Sequence, residues 1–235
     1  MAGFLTMDMS IEMPNHGNPQ SLLKLLTWLS PAFPIGSFSY SSGLESAIHD
    51  GQVHDKESLA DWLSDLLRLG PARNDAIFLG LTLEAGKQKG TILDLSDLAL
   101  ALAGSKERYL ETTAQGNAFV TAAGEWNKQA ASLLPVICPL PIAIGVFAAA
   151  ESLEKQETQI AFLHAFVSNQ VQSALRLMKL GQQNGLMVMK QMEPMILETV
   201  ERISTATIDD LGSATIMADI ASMRHETMPS RIFRS

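Results

Sequence analysis

The chain has 235 residues and a net charge of -8, from 17 basic and 25 acidic residues. With no run of lysine and arginine anywhere, this balance excludes a dedicated nucleic-acid binder, which would carry a basic stripe. Hydrophobic residues make up 46% and charged residues 18%, enough for a sizeable core under a surface less charged than average.

Residues 1–19 read as a loose leader. There is no Lys or Arg before Lys24, so a secretory start is not expected, and "MPNHGNPQ" has Pro14, Gly17 and Pro19 but no period. "SLLKLLTWLS" predicts a helix with Leu22, Leu25, Leu26 and Leu29 on one face, stopped by Pro31. "SPAFPIGSFSYSSGLE" follows as a rigid turn, with Ser42 and Glu45 in capping-box spacing. Phe33, Phe38 and Tyr40 in this short loop suit either a partner surface or a core plug.

"DKESLADWLSDLLRLGP" is the cleanest helix: Leu59, Trp62, Leu63, Leu66 and Leu67 share a face, Asp55 caps it and Gly70-Pro71 ends it. "NDAIFLGLTLEAG" continues as a second helix, and "DLSDLALALAG" predicts a third, capped at Asp94 or Ser96 and ended by Gly104. "SKERYLETTAQGNAFVTAAGEWNKQA" reads as one long helix. Its Gly116 and Gly124 cost about 1 kcal/mol each relative to alanine, so close packing is expected there.

Pro135, Pro139 and Pro141 break up "PVICPLPIAIGVFAAA", which leaves nothing near the roughly 20 apolar residues of a membrane span. Pro141 is expected at N1 of the next helix. In "TQIAFLHAFVSNQVQSALRLMKLG", Ile160, Leu163, Val167, Val171, Ala174 and Met178 form a buried stripe ended by Gly181, with His164 beside it as a core or interface histidine. "GLMVMKQMEPMILETVERI" is a long helix with a bend expected at Pro194; its Met187, Met189, Met192 and Met195 read as core. A last short helix lies within "ATIMADIASM". No alternating strand and no internal repeat is evident. The expected architecture is all-α: a single domain over residues 20–235, an orthogonal or bundled array of about nine or ten helices.

The chemistry-bearing residue types are sparse. Cys138 is the single cysteine and can form neither an internal disulfide nor a structural zinc site, which fits a cytoplasmic protein. Ser37, Ser39, Ser41 and Ser42 cluster near Gly36 and Gly43, yet no strand precedes them to make a nucleophile elbow. No Walker motif is present, so no nucleotide site and no cofactor is expected. His49-Asp50 and His54-Asp55 lie five residues apart, which matches no metal-ligand spacing. No metal site is expected; His49, His54 and His225 are the residues from which one would have to be built. Glu107 and Glu111, at i and i+4 beside Lys106 and Arg108, read as a solvated face. The chain is not expected to be an enzyme.

The end of the chain is unusual. "DLGSATIMADIASMRHETMPSRIFRS", Asp210 to Ser235, mixes apolar residues with Arg224, His225, Glu226, Arg231 and Arg234, where termini are ordinarily polar and dispensable. Together with "SPAFPIGSFSYSSGLE" and "HAFVSNQVQSALRLMKLGQQNG", this tail resembles the UreF family of urease accessory proteins over about residues 20–235. The resemblance implies an all-α homodimer without enzymatic activity. It implies binding to UreD (also called UreH), to the GTPase UreG and to urease apoprotein, in a complex that installs urease nickel with GTP hydrolysis by UreG. It also implies a tail, about residues 224–235, ordered by UreD.

On that reading Ile232 and Phe233 are apolar anchors, while Arg224, Arg231 and Arg234 make charge-assisted hydrogen bonds. Arg224 would hold the tail to the body at the Tyr40 loop, and Tyr40, Glu45, His225 and Glu226 complete the expected partner-binding set. Docking on a partner and docking on the chain itself are both open to Ile232 and Phe233, and Arg224 with Glu226 also reads as an ordinary surface pair. Two other roles remain open. One is a direct regulator, activator or gate, of UreG hydrolysis, with Arg68, Arg73 and Arg108 as finger candidates by residue type. The other is a conduit for nickel, in which His49, His54 and His225 would be the first residues to test.

Overall fold

The computed structural model describes residues 18–235. Residues 1–17 of the expected leader lie outside the described residues. Asn18 and Pro19 belong to the first helix: the Gln20 amide donates to Asn18 Oδ1 at 3.0 Å, and Pro19 sits in the first turn, where its missing N–H has no partner to lose. Among the described residues the chain forms eleven α-helices and two short 3-10 turns, with no strand. The all-α expectation holds.

The helix count exceeds the expected nine or ten partly because one predicted helix divides. α6 (Lys106–Ala123) stops at Gly124, and the short α7 (Lys128–Ala131) restarts on its own cap, Asn127, whose Oδ1 accepts from the Ala130 amide at 3.0 Å. Gly124 is therefore a terminator, while Gly116 does mark close packing: a Cβ there would run into the Cys138 carbonyl oxygen.

The core is built around α8 (Leu140–Ala150), whose residues 141–148 are all buried. A helix apolar on every side has to be enclosed. α4 (Pro71–Ala85), α5 (Lys89–Ala101), α6 and α7 pack on it. α9 (Lys155–Leu177) joins α4 to α10 (Gln182–Arg202), and α10 rests on α3 (Lys56–Leu69). Trp28 at the end of α1 (Pro19–Trp28) meets Phe119 and Phe147 edge-on, at centroid distances of 5.9 and 6.1 Å. Phe33 closes this cluster at 5.4 Å from Phe119. Of the three loop aromatics, Phe33 and Tyr40 are therefore buried and Phe38 is exposed.

Other sequence expectations meet corrections. α3 has its Asp55 cap as expected, with a reciprocal bond to Ser58. α5 begins at Lys89, so Asp94 and Ser96 are interior positions and not caps, and it ends at Ala101 ahead of Gly104. α1 buries Ser21, Leu25 and Trp28 and leaves Leu22 and Leu26 exposed, because the core meets it along the tryptophan side. Pro141 takes the second position of α8, one later than expected. His164 is exposed on α9, which removes the core alternative and leaves the interface one, and of the four methionines of α10 only Met192 is fully enclosed while Met187 is exposed. No helix among the described residues is long and apolar enough to cross a membrane.

Candidate functional site

The C-terminal tail folds back onto the body of its own chain. Its seat is formed by three carboxylates, Glu45 on α2 (Leu44–His49) and Glu107 and Glu111 on α6, each at most 6% exposed. Glu107 and Glu111 are thus not a solvated face. Their i, i+4 spacing points both inward, and burying such groups requires charged or hydrogen-bonding partners. The tail and the loop before α2 supply them.

Glu45 is the hub. It accepts from the backbone amides of Ile232, at 2.7 Å, and Phe233, at 2.9 Å, and faces His225 Nε2 at 3.0 Å. The expected capping box with Ser42 does not form. Gly43 precedes α2 in a left-handed conformation, φ +83°, and a Cβ there would lie 2.9 Å from the Ser222 amide nitrogen. α11 (Ile216–His225) packs so closely on this turn that only glycine fits. Ser42, itself left-handed at φ +52°, donates to Glu111 Oε1 at 2.9 Å, and Glu45 is left free to receive the tail.

Glu107 lies 2.7 Å from His225 Nδ1 and accepts from Arg231 Nη1 at 2.7 Å. Glu111 accepts from Ser235 Oγ at 3.0 Å. Burial pushes the Glu45 carboxyl up, but His225 and the two amides outweigh it and hold it below its ordinary value. Burial dominates at Glu107, which stays raised although His225 and Arg231 pull the other way. The main chain closes the seam: the Arg234 amide donates to the Ser39 carbonyl at 2.8 Å and the Ser41 amide to the Ser235 carbonyl at 2.7 Å.

These contacts sort the expected site residues. Phe233 is buried under the Arg176 guanidinium, 4.3 Å from its ring centroid, so it docks on its own chain. Ile232 is 63% exposed and Arg234 is exposed, so the extended tail alternates an inward face, Phe233 and Ser235, with an outward one. Tyr40 is buried; its carbonyl accepts from Asn169 Nδ2 at 3.1 Å. Arg224 does not reach the Tyr40 loop: it pairs with Asp50 at 2.8 Å, while the tail meets that loop through Arg234 and Ser235. Glu226 does not pair with Arg224; it accepts from the Lys106 amide at 3.1 Å and so covers the start of α6, where a negative charge is favoured. His225 is fully buried with both nitrogens facing carboxylates, while His49 and His54 are exposed beside Asp50 and Asp55. No group of three or more His, Cys, Asp or Glu among the described residues could hold a metal ion.

Sequence reasoning missed Glu107, Glu111, Ser41, Asp50 and Arg176. One signal was available: a tail with Arg224, Arg231, Arg234 and His225 against Glu226 alone needs carboxylates elsewhere, and α6 carries two at helical spacing. Beside the seam an open apolar groove runs between α1, α9 and α10, with exposed Leu22, Leu26, Phe38 and Leu197 on its walls and Asp75, Arg108 and Glu111 among its polar residues. Arg108 forms a part-buried ion pair with Asp75. Burial works against the Arg108 charge, yet the carboxylates of Asp75 and Glu111 more than offset it and raise its pKa.

The UreF family model matches residues 53–193. The urease accessory protein UreF 1 of Brucella anthropi is 45% identical over 215 residues, covering 92% of this chain and 94% of that protein. UreF of Agrobacterium fabrum is 46% identical over 215 residues, 92% of this chain and 96% of its own. UreF of Mesorhizobium japonicum is 43% identical over 223 residues, 95% and 100% respectively. The chain belongs to the UreF family of urease accessory proteins.

Proposed function

We propose that this chain is a non-catalytic maturation chaperone for urease, an adaptor that brings UreD (UreH) and the GTPase UreG to urease apoprotein so that nickel is loaded with GTP hydrolysis by UreG. Nickel is the cargo of that complex and not a resident cofactor of this chain. The observation that carries the reading is the two-faced tail. Its inward residues fix it to the carboxylate seat, and its outward Ile232 and Arg234 are exposed, as is Phe38 in the loop whose Ser39 carbonyl accepts from the Arg234 amide; apolar anchors and a guanidinium are of the kind that dominates binding energy. A preformed tail binds without a large ordering cost. The family resemblance assigns this surface to UreD.

The exposed leucine face of α1 and the adjoining groove support a homodimer. Each finger candidate is engaged within the chain: Arg68 with Glu198, Arg73 with the Asp210 carbonyl and Arg108 with Asp75. That favours an adaptor over a direct activator of UreG. The place of action is the cytoplasm.

The test is urease nickel content and activity in cells carrying a urease operon with this gene deleted and then restored. Loss of both on deletion and recovery of both on restoration is expected. Fully nickel-loaded urease in the deleted strain would refute the reading.

A further inference from the structure

His225 offers a second conclusion, one that does not depend on which partner the tail binds. Its ring is fully buried between two carboxylates, with Nε2 at 3.0 Å from Glu45 Oε2 and Nδ1 at 2.7 Å from Glu107 Oε2. A neutral imidazole carries one N–H and one bare nitrogen, and an ionised carboxylate only accepts. Two ionised carboxylates facing a neutral ring would leave one nitrogen lone pair against an oxygen lone pair, in a buried site. Both contacts are hydrogen bonds only if the arrangement holds one more proton, either as imidazolium between two carboxylates or as a carboxylic acid donating to the bare nitrogen.

We infer that docking of the C-terminal tail captures a proton in the Glu45–His225–Glu107 triad, so that the tail is a latch released by rising pH. The charged groups around the ring fit this. Glu45 comes from α2 and Glu107 from α6; on α11 and the tail, Arg231 bonds to Glu107 at 2.7 Å, and Arg224 is turned away to Asp50. Glu226 adds a further carboxylate near Glu107. The nearest cation, Arg231, satisfies the other Glu107 oxygen, Oε1, and leaves Oε2 to His225. The raised Glu107 carboxyl has the sign that proton capture requires.

Undocked, the three groups face water and hold no shared proton at neutral pH. Docking then takes up one proton, so at and above neutral pH the docking equilibrium falls about tenfold per pH unit until the docked triad itself deprotonates. A neutral glutamine in place of Glu107 removes the need for the extra proton. Its amide donates to Nδ1, and Nε2–H still donates to Glu45.

The test uses the full chain. The exchange protection of the Ile232 and Phe233 amides, expressed relative to the unstructured rate at each pH, is followed from pH 6.5 to 8.5 in the native chain and in Glu107→Gln. The native chain is expected to lose protection about tenfold per unit, and the variant to be flat. Should Glu107→Gln lack a docked tail, the nitrogen NMR of the native His225 ring, read with the side-chain carboxyl resonances, replaces it. A doubly protonated ring, or a neutral ring beside one carboxylic acid, supports the inference at pH 7.5. Protection independent of pH in the native chain, the same slope in both proteins, or a neutral ring beside two ionised carboxylates overturns it.

Discussion

The aromatic core and the C-terminal seam are both buried, but they are held by opposite means. Trp28, Phe119 and Phe147 touch edge to face and need nothing from one another beyond shape and exclusion of water. The seam buries Glu45, Glu107, Glu111 and His225, groups whose burial is costly unless every one is paired. A core of the first kind loses stability by degrees when trimmed. A seam of the second kind fails as a unit, because removing one partner strands the others. The two therefore respond differently to the loss of a single side chain.

The largest effect is expected in the core. Phe147→Ala should cost about 3–5 kcal/mol of global stability, read as a lower denaturant midpoint for the whole chain. Glu45→Ala should leave that midpoint nearly intact and act locally. It orphans the Ile232 and Phe233 amides and one side of His225, at about 1–3 kcal/mol for each donor left buried, so the tail undocks. Hydrogen exchange should show loss of protection over residues 226–235 with the helices unaffected. Global unfolding by Glu45→Ala would erase the distinction between the two regions.

Acid sharpens the comparison. The Glu45 carboxyl is held below its ordinary value of 4.5, so its contribution is complete above that pH and is lost as the pH falls through its lower folded value. Glu107 is raised, so its contribution is complete below 4.5 and fades as the pH rises through its higher folded value. Tail protection should therefore decline as the pH falls below the ordinary 4.5 of Glu45, while the near-ultraviolet signal of the aromatic core persists. The smallest effect belongs to Arg224→Ala. Its pair with Asp50 is exposed to solvent and salt, and neither the midpoint nor tail protection should change measurably.

The same contrast explains what could be read from the chain. Leu59, Leu63, Leu66 and Leu67 announce their helix by spacing, and Asp55 and Pro71 mark its ends, because those signals are local. The end of α6 was legible only as a glycine, and Gly124 terminates where Gly116 packs, a choice made by the neighbouring Cys138 loop. Ser42 and Glu45 have the spacing of a capping box, but the left-handed turn at Ser42 and Gly43 redirects both across the fold. Glu107 is 118 residues from His225, and no local pattern encodes that meeting. The tail was legible as something unusual by its mixture of apolar residues and arginines. Their partners were not, because a buried carboxylate and a solvated one look alike until the chain is folded.

The most direct test of the two-faced tail is capture of purified UreD by the chain carrying Ile232→Asp and Arg234→Ala, with tail protection measured on the same sample. The account predicts that the tail stays docked, with Phe233 still protected, while UreD capture is lost. Normal capture of UreD by a protein whose tail remains docked would contradict it.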